Sequence, residues 1–282
     1  MEPVAGGDRE LGQFFTPRAV IDFALDALRS FGGEIAGGSL IDPACGPGEW
    51  LEAGLVAGAR PVVGLDCDPA MLGHWQTAGL SSRRDCLLLV ADALIPTTLP
   101  AASFDLVVGN PPFGARIDGR TRGEVREIAR HYSLFHGQDR ARLIHEPSAS
   151  DLERVNRFPT ELLFLERFVE LARPGARIAI ILPEGVMANN RWRHARTWLL
   201  GKVTLHAVVG LPRRTFRASA TTARTCLLLM SRRPSPRDHP VALAEIDDLE
   251  EHTVYRLLQA FATRASIADD PPGGLLPPPL FR

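Results

Sequence analysis

The feature that most constrains the fold is an alternation of short apolar runs with helical patterns along most of the chain. The runs that we predict as strands are Ser39–Asp42, Pro61–Asp66, Cys86–Val90, Phe104–Asn110, Ala176–Leu182, Val203–Leu211 and Thr225–Ser231. The predicted helices between them include Glu49–Gly58, Pro69–Gly79, Thr160–Ala172 and Arg191–Leu200. Because strands that alternate with helices are joined by crossovers, the pattern predicts an α/β fold with a largely parallel sheet covered on both faces.

Composition excludes several classes of protein. No apolar run reaches the roughly 18 residues of a membrane helix, and the first residues, MEPVAGGDRE, do not have the pattern of a signal peptide. We therefore expect a soluble cytoplasmic protein with no membrane partner. The four cysteines form no CxxC pair, and no cluster has zinc spacing, so we predict reduced thiols and no metal site.

Charge is distributed unevenly, although the formal net charge is only −1. The stretch from Val186 to Arg237 contains no acidic residue and 11 basic ones, counted directly from the sequence. A one-sided basic surface is what phosphate binding requires, and a solvated arginine-rich surface is the alternative. The residues that we predict to contact the phosphates of a nucleic acid are Arg191, Arg193, Arg213, Arg214 and Arg217.

Four consecutive predicted strands end in a polar or glycine-rich element. The elements are Asp42 with the following PACGPG, then Asp66, Asp92 and Asn110. Because ligands of open parallel sheets bind beyond the carboxyl ends of the strands, we expect one ligand pocket at this edge. Asp66 suits ribose hydroxyls and Asp92 suits an adenine amine. The loop matches neither GxGxxG nor the P-loop pattern.

The sharpest motif is Asn110-Pro111-Pro112-Phe113. Two prolines lack backbone N–H groups and hold the chain in an extended turn. That turn would present the Asn110 side-chain oxygen and the Pro111 carbonyl as two acceptors, which suits an NH₂ group. Phe113 offers an aromatic face for a planar base.

Together these residues resemble the amino-methyltransferases of DNA, and specifically the catalytic domain of modification subunits of type I restriction–modification systems. The family's opening GQ-F/Y-FTP motif is matched at 12–17, its DPACGTG loop by DPACGPG at 42–48, and its NPPF by 110–113. The resemblance covers about 11–233. It implies the S-adenosylmethionine-dependent methyltransferase (Rossmann-like) fold, with a seven-stranded, mostly parallel sheet whose last strand is antiparallel.

The resemblance also implies a role for each matching residue. Phe15, Thr16 and Pro17 would contact the methionine end of S-adenosylmethionine. The cofactor would further be bound by Asp42, Cys45, Gly46, Gly48, Asp66, Asp92 and Ala93. The target base would be held by Asn110, Pro111, Pro112 and Phe113. Pro47 and Glu49-Trp50 depart from the family pattern, in which threonine and a small residue with phenylalanine are usual.

The domain organisation is predicted from loop lengths and local composition. We predict a methyltransferase catalytic domain over 1–240 with an insertion over 114–159, and a C-terminal segment over 241–282 with an acidic helix and a proline-rich tail. The insertion reads equally well as a surface elaboration with its own helix and as a substrate-contacting loop. The chain looks like a bare catalytic domain, either a piece of a longer protein or one member of an assembly.

The implied reaction is methylation of the exocyclic N6 amine of adenine in DNA, within a restriction–modification or related defence system. The implied partners are DNA and a separate or fused target-recognition (specificity) subunit. Two alternatives stay open. One is a methyltransferase of the same fold acting on RNA or on protein glutamine. The other is a non-catalytic module that binds the cofactor or DNA within a defence complex.

Overall fold

An eight-stranded sheet forms the centre of the protein in the computed structural model, which describes residues 16–114, 120–136, 146–212, 215–216, 224–236, 238–248 and 250–269. The strands β1 to β8 are Leu40–Asp42, Val62–Asp66, Cys86–Val90, Phe104–Gly109, Ala172–Pro183, Thr204–Gly210, Thr225–Ser231 and Ala242–Glu245. Their spatial order is β3-β2-β1-β4-β5-β7-β6-β8. β1 to β5 pair in parallel, whereas β7 is antiparallel to both of its neighbours, β5 and β6.

The predicted fold class is confirmed, but the predicted count of seven strands is wrong. The seventh strand is antiparallel, as expected. The additional strand, β8, pairs in parallel with β6 at the edge of the sheet. It is only four residues long and half exposed, with Ala242 buried and Leu243 71% exposed, so it lacks the apolar run that identifies the central strands. β8 lies beyond residue 240, and the predicted domain boundary there stays a prediction.

Ten α-helices lie in the described parts of the chain. They are α1 to α10: Arg18–Ser30, Glu49–Val56, Met71–Thr77, Arg122–His131, Ser133–His136, Ala149–Asn156, Thr160–Leu171, Glu184–Ala188, Arg193–Leu200 and Glu251–Asp269. α4, α5 and α6 belong to the predicted insertion. Thr121 and Ser148 start α4 and α6 with capping boxes, in which side chain and backbone exchange hydrogen bonds. None of the described helices is long and apolar enough to cross a membrane.

The sheet separates two apolar cores because successive strand residues point to opposite faces. Leu40 of β1 packs with α1, α2, α3 and α10 on one face. Ile41, the next residue, packs with α4 to α7 and α9 on the other. Both side chains are fully buried. Double coverage explains why the central strands read as continuous apolar runs rather than as alternating ones.

The strand order reverses between β1 and β4. The chain moves outward from β1 to β2 and β3, and then returns to place β4 on the other side of β1. At such a switch point the loops leaving the two strands diverge and open a crevice beyond their carboxyl ends. The switch point lies in the middle of this sheet, where the loop after Asp42 and the motif beginning at Asn110 leave adjacent strands.

Candidate active site

The four predicted strand-end residues lie along one edge of the sheet. Asp42 and Asp66 are the last residues of β1 and β2, Asp92 follows β3 by two residues, and Asn110 directly follows β4. These strands are parallel neighbours in the order β3-β2-β1-β4, so their carboxyl ends point the same way. The tertiary structure therefore brings together residues that are separated by up to 68 positions, from 42 to 110.

The glycine loop between β1 and α2 is held from two sides. The Gly46 N–H donates to Asp66 Oδ2 at 2.8 Å, and the Gly46 carbonyl accepts from Trp75 Nε1 at 2.8 Å. Gly46 and Gly48 have φ values of +49° and +106°, which glycine adopts without steric cost. The loop is thus a fixed turn whose shape requires these glycines.

Asp66 is buried and holds this loop through its carboxylate. Its second oxygen, Oδ1, accepts the Asp68 N–H at 2.9 Å. Burial raises the pKa of Asp66, whereas hydrogen bonds from Asp68 and Gly46 lower it. A carboxylate held in this way has a fixed direction and lone pairs left for hydroxyl donors.

Asp42 lies against the start of the Asn110 motif. Its Oδ1 accepts the Ala44 N–H at 3.0 Å, whereas its buried Oδ2 has no hydrogen-bond partner among the described residues. A Cβ at Gly109 would lie 2.5 Å from Asp42 Oδ1, so no larger residue fits at the end of β4 without a shift. Burial raises the pKa of Asp42 well above its ordinary value, and the charges of Asp66 and Glu49 add to this effect.

Two further ionisable groups of the loop are shifted by burial. Burial raises the pKa of Glu49, at the start of α2, from 4.5 to about 7. The pKa of the Cys45 thiol is also raised well above its ordinary value, first by burial and then by the charges of Asp42 and Asp66. The Cys45 thiol is therefore neutral at physiological pH, and a neutral thiol is a poor nucleophile.

The Asn110–Phe113 motif is largely enclosed. Asn110 and Phe113 are 9% and 5% exposed, and Pro111 is also buried. Gly114, the next residue, donates its N–H to Glu161 Oε2 at 3.4 Å, which ties the loop to the first turn of α7. The side chains predicted to hold a base are thus set into the edge of the sheet.

Asp92 has charged and polar partners on both carboxylate oxygens. Oδ1 accepts the Leu94 N–H at 3.0 Å, and Oδ2 pairs with Nε of Arg120. Ala93, beside it, is buried, and its carbonyl accepts from Arg167 Nε at 2.9 Å. Asp92, the predicted adenine anchor, is therefore paired with Arg120, and its neighbour Ala93 is held by Arg167. Neither contact could be predicted from the sequence.

Sequence reasoning missed Arg167, a fully buried arginine of α7. Besides Ala93 O, it donates to the carbonyls of Pro96 at 3.3 Å and Leu99 at 3.1 Å. It therefore fixes the loop that follows β3. The available signal was the charged pair Glu166-Arg167 inside the apolar run of 160–171, where charges are buried only when they have partners.

The other predicted residues lie elsewhere or outside the described residues. Thr16 is buried, and Pro17 is the N-cap residue of α1. Arg191 and Arg193 are exposed in the segment that leads from the carboxyl end of β5 into α9. The residues that lie outside the described parts are Phe15, Arg213, Arg214 and Arg217. Among the described residues, no group of three or more His, Cys, Asp or Glu side chains could hold a metal ion.

The family model described as N-6 DNA Methylase matches residues 85–259 of the chain. The chain is 22% identical over 251 residues to Defense against restriction protein B of Escherichia phage P1, covering 86% of this chain and 9% of that protein. It is 30% identical over 110 residues to the methylase subunit of the type I restriction enzyme MjaIX of Methanocaldococcus jannaschii, covering 36% and 19%. The chain thus spans less than a fifth of the length of these two relatives.

Among solved structures, the fold is similar to that of a protein from Listeria monocytogenes described as a class I S-adenosylmethionine-dependent methyltransferase. The TM-score is 0.67 at 19% sequence identity, over 92% of this chain and 73% of that chain. At this identity the likeness concerns the fold alone, and it agrees with the fold class predicted from the sequence.

Proposed function

The chain belongs to the N-6 DNA methylase family, and from this membership and the site we propose that it methylates the exocyclic N6 amine of adenine in DNA. The observation that carries the proposal is the enclosure of Asn110 and Phe113 at the carboxyl end of β4. They lie next to β1 and its glycine loop, at the point where the strand order reverses. A base-holding motif and a cofactor loop are thus adjacent.

The residues present fit S-adenosylmethionine. The buried Asp42 Oδ2, which lacks a hydrogen-bond partner among the described residues, offers an acceptor for the ammonium group of the methionine part. Asp66, fixed by Gly46 and Asp68, would accept from the ribose hydroxyls. Asp92 would accept from the adenine amine. The cofactor supplies a methyl group bound to a sulfonium, which is a good leaving group.

The chain's own contribution to catalysis is orientation and charge stabilisation. The adenine amine is a poor nucleophile because its lone pair is delocalised into the ring. The Asn110 side-chain oxygen and the Pro111 carbonyl would accept its two hydrogens, and Phe113 would stack on the ring. Pro112 would keep this turn extended. Held in this way by Asn110 and Pro111, the amine lone pair would be directed at the methyl group that the sulfonium of the cofactor supplies, and the proton that the amine loses on transfer would pass to solvent water.

A base inside a duplex cannot reach an enclosed motif, so the target adenine must be flipped out of the helix. This chemistry does not by itself distinguish DNA from RNA, and glutamine carries a similar NH₂ group. DNA is the substrate we propose because the family and the two curated relatives concern DNA methylation or restriction. We further propose a cytoplasmic location, a role in restriction–modification or a related defence system, and a separate or fused target-recognition (specificity) subunit.

The test is methyl transfer from isotopically labelled S-adenosylmethionine by the purified chain, followed by nucleoside analysis. We expect label in N6-methyl-2′-deoxyadenosine from previously unmethylated DNA, and none in RNA or in glutamine-containing peptides. Asn110→Ala should abolish transfer but keep the rise in melting temperature that the cofactor causes by binding the folded state. Asn156→Ala, an exposed asparagine at the end of α6, is the matched control and should retain transfer.

Three results would contradict the proposal. Label in RNA or in peptide but not in DNA would show that DNA is not the substrate. Wild-type turnover by Asn110→Ala would remove the catalytic role of Asn110. A cofactor-induced rise in melting temperature without transfer to any acceptor, with a target-recognition partner added, would favour the non-catalytic alternative.

A further inference from the structure

We propose that Arg120 competes with the adenine of the cofactor for Asp92, so that binding of the cofactor displaces a guanidinium that belongs to the insertion. The inference rests on the proposed function, because it takes S-adenosylmethionine as the ligand of this pocket. It assigns to Arg120, a residue with no role in the motifs, control over the affinity for that ligand.

The pair between Arg120 and Asp92 is largely shielded from solvent. The two side chains are 15% and 19% exposed, and the contact joins Arg120 Nε to Asp92 Oδ2. The other carboxylate oxygen already accepts the Leu94 N–H. An adenine amine that approaches Asp92 therefore meets a carboxylate whose two oxygens are both engaged, one of them by a positive charge.

Asp92 cannot move away to make room, since the loop that carries it is fixed. Its carbonyl accepts from Thr98 Oγ1 at 3.1 Å, and the Leu94 carbonyl accepts from the buried Tyr132 hydroxyl at 2.9 Å. Arg167 donates to three further carbonyls of the same loop. The adjustment must therefore take place on the side of Arg120.

Arg120 has an alternative position for its charge. Its backbone directly precedes Thr121, the N-cap residue of α4, and the capping box with Glu124 fixes the start of that helix. Glu124 lies close enough for its pKa to be lowered by the charge of Arg120, after the larger effect of its hydrogen bonds with Thr121. A rotation of the Arg120 side chain from Asp92 toward Glu124 would exchange one carboxylate for another without moving α4.

Two consequences follow from this competition. Removal of the guanidinium should increase affinity for the whole cofactor, because adenine no longer displaces an ion pair. Added salt should change the affinity of the wild-type protein only weakly, because a pair that is largely shielded from solvent is screened much less than an exposed one. An interaction of Arg120 with the cofactor itself would give the opposite result for the mutation.

The experiment is isothermal titration calorimetry of S-adenosylmethionine into the full chain, for wild type, Arg120→Gln and Arg122→Gln. Arg122 is an exposed arginine two residues further along, at the first position of α4, and serves as the matched control. We expect Arg120→Gln to bind about three- to tenfold more tightly, the size expected for loss of a competing and partly buried ion pair. Arg122→Gln should bind like the wild type.

Thermal unfolding provides a second measurement. Arg120→Gln should have a lower melting temperature than wild type without cofactor. The difference should shrink at saturating cofactor, because the wild type then lacks the ion pair as well. Equal or weaker cofactor binding by Arg120→Gln would overturn the proposal, and so would a melting-temperature difference that saturation leaves unchanged.

Failure of the proposed function gives a different pattern. If Arg120→Gln binds the cofactor more tightly than wild type but no methyl group reaches DNA, the competition holds and the DNA methyltransferase assignment fails. If none of the three proteins binds the cofactor, both are wrong.

Discussion

Replacement of Arg167 by methionine tests whether one buried side chain holds the loop after β3. Methionine keeps most of the aliphatic volume but removes every donor. The carbonyls of Ala93 and Leu99, which accept at 2.9 and 3.1 Å, lie in buried surroundings. A buried acceptor left without a donor costs about 1–3 kcal/mol, so the two together give a loss of about 2–6 kcal/mol. Removing one partner from a buried charged pair typically costs about 3–5 kcal/mol, which lies within this range.

The assay is urea unfolding followed by circular dichroism, with the denaturant slope as a check that the unfolded state is unchanged. In a thermal scan the same loss lowers the melting temperature by about 10 °C in a chain of this size. Arg157→Met changes an exposed arginine in the turn between α6 and α7. That control should stay within about 0.5 kcal/mol of wild type.

A loss below about 1 kcal/mol at an unchanged denaturant slope would refute the reasoning, because it would mean that the carbonyls do not depend on Arg167. A loss of stability with unchanged cofactor affinity would refute only the expectation that Arg167 also supports cofactor binding. We expect affinity to fall as well, since the loop that Arg167 fixes also carries Asp92.

Two further predictions concern pH and DNA. Because burial raises the pKa of Glu49 from 4.5 to about 7, the unfolded chain loses this proton first, so stability should fall as pH rises from about 4.5 to 7 and then level off. Glu49→Gln should flatten this dependence of the unfolding free energy on pH, whose upper limit is about 3 kcal/mol. The same pH profile in the variant and the wild type would contradict the raised pKa of Glu49. Charge removal at Arg191 and Arg193 together should reduce the slope of log DNA affinity against log salt by about two. The guanidinium of Arg196 instead donates to the carbonyls of Val186 at 3.0 Å and Asn189 at 2.8 Å. Charge removal at Arg196 should therefore lower stability rather than change the salt slope. An equal slope in wild type and the double variant would show that this segment does not contact phosphates.

The central strands could be predicted closely from the sequence because burial on both faces leaves an unmistakable apolar run. The predicted β3 and β7 coincide with the observed Cys86–Val90 and Thr225–Ser231. β5 begins earlier than predicted, at Ala172. The residues Arg173 to Gly175 have no apolar pattern that would predict a strand. Ala172 pairs with Phe104 of β4, and the pairing resumes only at Arg177, after a register shift. β8 was missed for the related reason that an edge strand needs few apolar residues.

The candidate site was likewise predictable from the sequence only in part. Asp42, Asp66, Asp92 and Asn110 were identified because each follows a predicted strand, and parallel strands must bring their carboxyl ends to one edge. The roles of these residues stay predictions. Gly109 was not identified, since its requirement arises only from the approach of Asp42 across two strands that are distant in the chain.

The sequence by itself determined the order of strands and helices, the α/β class and the set of strand-end residues, because these depend on local periodicity and on motifs a few residues long. Only the tertiary structure decided which side chains from distant parts of the chain meet those residues. The pairing of Arg120 with Asp92 and the contacts of Arg167 with the loop after β3 span 28 and up to 74 positions. Such contacts leave no local pattern, since a buried charge is satisfied by partners in space that any part of the chain can supply.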